Sequence, residues 1–208
     1  MLGSMDKYLS SSEFIDWHNP LVAEKAKQLG GIDSREDIVR NCFEYVRDKI
    51  KHSWDFQLNP VTCKASEVLE HKTGYCYAKS HLLAALLRAN GIPTGLCYQR
   101  LTIENDLPPF CLHGLNAVYL LNIGWYRIDA RGNRAGVAAQ FTPPVEKLAF
   151  PVLVEGEVDF PEIWVEPLPG VIRVLTSSAN YQEVAYNLPD TEIITRDKRT
   201  PAPERIKF

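Results

Sequence analysis

Gly74-Tyr75-Cys76-Tyr77 opens a run, Ala78-Lys79-Ser80-His81-Leu82-Leu83-Ala84-Ala85-Leu86-Leu87-Arg88-Ala89-Asn90, that closes at Gly91-Ile92-Pro93. Glycine supplies the C-terminal stop and Pro93 bars continuation, so the run predicts a helix that begins near Cys76. Leu82, Leu83, Ala85, Leu86 and Ala89 make it apolar on most sides, the pattern of a central buried helix. Cys76 falls in the first turn. There the unpaired N–H groups and the positive end of the helix dipole favour a thiolate, the reactive form of the side chain. A cysteine that elsewhere reads as a small packing residue is here a candidate nucleophile.

A thiolate nucleophile needs a base, and the base needs a group that holds its tautomer. Downstream the hydrophobic period shortens from 3.6 towards 2, which predicts strands over 94–103, 114–121 and 125–129, with Asn105–Phe110 as a proline-containing loop. Asn122-Ile123-Gly124 is the hairpin signal between the last two strands. If the chain turns at Leu121 or Asn122, positions whose numbers add to about 242 face each other, and His113 with Asp129 is such a pair. A slip of one or two residues leaves them diagonal neighbours, still within reach. His113 and Asp129 are thereby the candidate base and its orienting acid. His81, about 140° round the helix from Cys76, is turned away from the thiol. His18, His52 and His71 read as solvated residues of caps and loops.

Outward from this centre, Ser10-Ser11-Ser12 offers helix-capping chemistry, and Pro20 suits the first turn of a segment running to Gly30-Gly31. Ser34 with Asp37 resembles a capping box before an apolar stripe through Ile38, Cys42, Tyr45, Val46 and Ile50. Residues 52–62 read as a loop with aromatic anchors at Trp54 and Phe56, followed by a short helix over 65–70. Val152–Trp164 predicts one or two short strands; Pro169 and Asn180 start two last helices. One domain over residues 5–190 is expected, with a polar tail, 191–208, as an extended arm.

The chain has 208 residues and a formal net charge of -3, which gives no basis for nucleic acid or an anionic membrane as partner. No apolar run approaches the ~18 residues of a membrane span and the start lacks a secretory pattern, so a soluble, cytoplasmic protein is expected. Five cysteines without a C-x-x-C pair speak against a disulfide framework and a zinc site, and no metal or cofactor is expected.

The block from Gly74 to Pro93, then His113 with Asn116-Ala117-Val118-Tyr119-Leu120, then Gly124-Trp125-Tyr126-Arg127-Ile128-Asp129, resembles the core of the transglutaminase-like superfamily. Tyr45-Val46-Arg47-Asp48-Lys49-Ile50 and Ala65–Glu70 resemble its bacterial branch, so the likeness covers about residues 34–133. The resemblance implies a papain-like α+β fold with the nucleophile helix packed on an antiparallel sheet. It implies Cys76 as nucleophile, His113 as base, Asp129 as orienting residue, and a thioester formed from a peptide or amide. Tyr75, Tyr77 and Trp54 are the expected substrate-binding residues, and the substrate a peptide, protein or small amide.

Some positions depart from the family pattern. His113-Gly114-Leu115 stands where many members have His-Ala-Trp, and Asp129-Ala130-Arg131 where they have Asp-Pro-Thr. The oxyanion-stabilising tryptophan of the animal crosslinking enzymes has no match near Thr62 and Cys63. Their calcium-binding segments and flanking β-domains are also missing, which points to hydrolysis rather than crosslinking. The rival reading is an inactive fold that binds a partner protein through Trp54–Phe56 or the tail.

Overall fold

A computed structural model of the chain describes residues 5–31, 34–104, 107–192 and 204–206. Its centre is the helix α5, Cys76–Ala89, in which every residue from Cys76 to Arg88 is buried. Helices α1 (Pro20–Gly30), α2 (Arg35–Lys49) and α4 (Ala65–His71) pack on one side of it. Strands β3 (Thr94–Glu104) and β4 (Leu107–Leu120) pack on the other. With β5 (Gly124–Ile128) and β6 (Val158–Asp159) they form an antiparallel sheet ordered β5-β4-β3-β6. The result is an α+β architecture, helices against a sheet.

Local chemistry explains most of the boundaries. The Ser34 hydroxyl accepts from the Asp37 N–H, and the face of α2 turned inward is Val39, Cys42, Phe43 and Val46. That face is rotated slightly from the expected stripe, so Ile38 and Tyr45 sit at the edge of the core. Asn19 caps α1, and the separate short helix expected after the serine run does not form. Ser11 and Ser12 instead close a loop around Ile15, and the first regular turn, Asp6–Leu9, lies ahead of them.

Burying α5 all round forces its polar side chains onto backbone carbonyls, since an unpartnered polar group in the core is costly. Arg88 donates to Thr94 O, Ser10 O and Val165 O at 2.9, 2.8 and 2.7 Å. Lys79 donates to Ile50 O just past the end of α2, and Asn116 of β4 reaches Ser80 O at 3.0 Å. These bonds fix the helix against both layers.

Two sequence expectations change. Leu107–Phe110 belong to β4 rather than to a loop, so His113 lies mid-strand; Asn105 and Asp106 fall outside the described residues. The tail is likewise only partly described. Glu204–Arg205 form β8, paired with β7, Glu162–Ile163, while 193–203 and 207–208 lie outside the described residues.

The remaining elements rim the sheet. A two-residue strand, β1 (Lys51–His52), runs parallel to β2 (Thr73–Gly74), with His52 opposite Gly74. A single turn, α3 (Ser53–Phe56), follows it. Helices α6 (Pro169–Ser177) and α7 (Tyr181–Tyr186) close the chain's path, with α7 packed beside α3. Among the described residues no helix is long and apolar enough to cross a membrane.

Candidate active site

Cys76 is the first residue of α5, after an N-cap, Tyr75, whose side chain makes no capping bond. The first N–H groups of the helix thus receive no bond from the N-cap side chain. Cys76 is 8% exposed and lies in the wall of a cleft of about 690 Å³. The N–H of Gly114 on β4 points at the Cys76 sulfur, at 3.5 Å.

His113 sits one residue earlier on that strand and lines the same cleft, with the Cys76 sulfur close enough to help raise its pKa. Its Nε2 bonds to Asp129 Oδ2 at 2.8 Å. The ladder pairs Asn116 with Ile128 and Tyr119 with Trp125, two residues from the expected register. Three residues, Leu121 to Ile123, join the strands, with Gly124 at a φ of 89° that favours glycine. His113 and Asp129 are therefore diagonal neighbours at the open end of the hairpin, and the contact forms all the same.

The Asp129 carboxylate is fully engaged. Oδ2 accepts from His113 and from the Ala149 N–H at 3.1 Å, and Oδ1 accepts from the Arg131 N–H at 3.0 Å. Burial alone would raise its pKa, but His113 and the two backbone donors outweigh this and hold it below the ordinary value. Burial would likewise lower His113. The Asp129 carboxylate and the Cys76 sulfur override that and raise it to about 10. The ring is an imidazolium at neutral pH, its charge shared between acid and thiol.

Two groups over this trio left no trace in the sequence pattern. Phe150 stands edge-on to the His113 ring, 5.1 Å between centroids, and the adjacent Ala149 supplies the N–H to Asp129. Nothing periodic marks that segment; only the fold brings it there. Arg131 binds Asp55 through both terminal guanidinium nitrogens, at 2.6 and 3.0 Å, and ties the end of β5 to the turn after β1.

His52 corrects the sequence reading. It is buried in the cleft wall, with its ring 5.3 Å from that of Tyr75 and no hydrogen-bond partner for Nδ1. Burial and the neighbouring Arg131 cation hold it neutral, its pKa well below the ordinary histidine value. The β1–β2 pairing draws it there, and a two-residue strand has no period to be read.

The expected substrate residues divide. Trp54, 46% exposed, stands on the cleft rim with its ring 6.0 Å from Tyr181. Tyr75 faces the cleft and donates to Tyr181 O at 2.6 Å, which pins α7 beside the opening. Tyr77 also lines the cleft but is almost wholly buried, and its hydroxyl donates to Leu112 O of β4.

The strand comes this close because residue 114 has no side chain. A Cβ on Gly114 would lie 2.9 Å from Tyr77 Cδ1 and 3.2 Å from Tyr77 Cα. Gly114→Ala must push the start of α5 away from the strand that holds His113. We expect a loss of about 1–3 kcal/mol by thermal or urea denaturation and slower alkylation of Cys76. An unchanged midpoint would show that the strand and helix can part freely.

Among the described residues no group of three His, Cys, Asp or Glu side chains is arranged to hold a metal ion. The sequence pattern of the transglutaminase-like superfamily matches residues 23–130, just over half of the 208. The chain belongs to the transglutaminase-like superfamily. In this superfamily chain the matched stretch contains Cys76, His113 and Asp129, whereas Arg131, Ala149 and Phe150 lie beyond it.

Solved structures give similar backbones. A proposed cysteine protease from Cytophaga hutchinsonii aligns with a TM-score of 0.49 at 19% identity, over 62% of this chain and 42% of that one. The periplasmic domain of TgpA from Pseudomonas aeruginosa gives 0.49 at 16% identity, over 62% and 47%. A proposed protease from Parabacteroides distasonis gives 0.42 at 13%, over 66% and 27%. This chain thus spans less than half the length of each. No curated protein matches the sequence.

Proposed function

We propose that this chain is a cysteine hydrolase or acyltransferase that acts on a peptide or amide bond through a thioester. One observation carries the reading. A cysteine at the N-terminus of a buried helix lines a cleft together with a histidine, and that histidine is bonded from behind by a buried, fully hydrogen-bonded aspartate. Packing alone gives no reason to bury a charged pair behind a cysteine in a cleft wall, because such a pair rarely adds stability over apolar residues of the same size.

In the first step the thiolate of Cys76 attacks the carbonyl carbon, and the oxygen takes the negative charge beside the Cys76 backbone N–H. His113 gives its proton to the leaving amine as the C–N bond breaks, which leaves the acyl group on sulfur. Neutral His113 then takes a proton from water, or from an acceptor amine, as that nucleophile attacks the thioester and releases Cys76. Asp129 stabilises the imidazolium and fixes which nitrogen faces the sulfur.

The test is selective alkylation. Burial pushes the Cys42, Cys63 and Cys111 thiols up to about 12, and Cys97 higher still. At neutral pH iodoacetamide should therefore modify Cys76 well ahead of the other four thiols, and His113→Ala should remove that lead. If Cys76 reacts no faster than the partly exposed Cys111, the reading fails.

A further inference from the structure

We infer that the cleft selects an amide flanked on one side by a large apolar group and on the other by an anionic group. This rests on the proposed chemistry of Cys76, and it names the substrate that chemistry would meet. Sheet order separates the two flanks. The strand that holds His113, β4, lies between β5, whose extension carries Arg131 and Arg134, and β3, which carries Leu101 and Ile103.

The first flank is cationic. Asp55 is a single carboxylate between two guanidinium groups, bound twice by Arg131 and 3.9 Å from Arg134 Nε. One negative charge against two positive leaves an excess of one, and it sits on Arg134, whose side chain is 55% exposed on the cleft. The nearby His52 is neutral and adds nothing to the balance.

The other flank is apolar and has the opposite sign of charge. Leu101, Ile103 and Leu112 of the sheet line the cleft together with Leu153, Tyr186 and Leu188. Ile103 is 44%, Leu153 73% and Tyr186 81% exposed, so much apolar surface there awaits cover. Glu157 closes this end. Its carboxylate accepts from Thr102 N and Oγ1 and from the Leu153 and Val154 N–H groups, all neutral donors, so the negative charge stays uncancelled. An anion is repelled from this flank and drawn to the other, which fixes the direction in which a substrate lies. Covering one leucine-sized side chain against such a wall is worth roughly tenfold to hundredfold in affinity.

The experiment uses the full chain and a set of internally quenched peptides. Phe or Leu, Ser, and Lys are placed in turn on one side of the scissile bond and Glu, Gln or Lys on the other, in both orders. One order of Phe or Leu with Glu should be cut with a kcat/KM at least about tenfold above the Ser–Gln peptide and above every Lys peptide. Arg134→Gln should bring the Glu-to-Gln ratio to about one and leave the Phe-to-Ser ratio in place. Leu153→Ser should do the reverse. Equal cleavage of all flanks within about twofold, or an Arg134→Gln enzyme that still favours Glu, overturns the inference. Binding of the same peptides to Cys76→Ala protein, followed by fluorescence anisotropy, separates the two layers. Selective binding without turnover by the unsubstituted chain would leave the cleft assignment standing and remove the chemistry; unselective binding would remove the cleft assignment.

Discussion

Under the proposed chemistry, Cys76→Ala should lower amide turnover to about 10⁻⁴ of the unsubstituted rate or less while the fold stands. The side chain is small and sits at the cleft edge of the core, and its sulfur accepts a long contact from the Gly114 N–H. The stability change is accordingly small, about 1 kcal/mol. Two nearby groups are poor substitutes for the proposed nucleophile. Cys111 lines the same cleft, but burial holds its thiol protonated, and Ser80 is committed to Cys76 O at 2.8 Å. Single-turnover kinetics on a chromogenic amide, together with a thermal melt of both proteins, checks the result. Retention of more than about a tenth of the rate would show that the thiol is not the nucleophile.

The second large effect lies at Asp129. Its two oxygens serve three donors: His113 Nε2, Ala149 N–H and Arg131 N–H. Asparagine offers one acceptor oxygen and one NH₂ in the same place, so whichever way the amide turns, a donor meets a donor. If the NH₂ faces His113, the ring must turn its lone pair to the new amide and its N–H to the sulfur, and it can no longer take the thiol proton. We expect Asp129→Asn to lower kcat/KM by about 10³–10⁴-fold and to destabilise the fold by about 3 kcal/mol.

The stability loss should depend on pH in a defined way. The His113 pKa rises from 6.5 to about 10 on folding, so its contribution is complete below 6.5 and is lost as pH climbs towards 10. The Asp129 pKa falls below 3.8 on folding, so its contribution holds above that value and is lost as pH drops through the folded one. The gap between the unsubstituted protein and the Asp129→Asn variant is therefore widest from about pH 4 to 6.5 and closes on both sides. Urea denaturation at a series of pH values measures it; a gap constant from about pH 5 to 10 would contradict the ion pair.

The parts of the fold that the sequence made legible are those governed by neighbours along the chain. Helix α5 shows itself through Cys76 at one end and Gly91-Ile92-Pro93 at the other, and α2 through Ser34 and its inward stripe. His113 and Asp129 could be brought together because a hairpin of a few residues relates them. Even a two-residue error in register left them within a bond's reach. What stayed hidden depends on distant segments. The Ala149 N–H on the carboxylate, the Phe150 ring over the imidazole and the Arg131–Asp55 pair all join stretches with no shared period. His52 was misread for the same reason: two residues of parallel pairing suffice to bury a histidine that the local pattern leaves in water.

Gly114 and Tyr77 meet so closely that a change at one position constrains the other. In a lineage that acquires a side chain at 114, the aromatic ring at 77 has to shrink or the helix has to shift, and neither change is tolerable alone beside the thiol. The two positions should covary among descendants of this sequence, glycine with tyrosine and a larger residue with a smaller one. In the laboratory this predicts that a double exchange, Gly114→Ala with Tyr77→Ala, recovers part of what the first exchange loses.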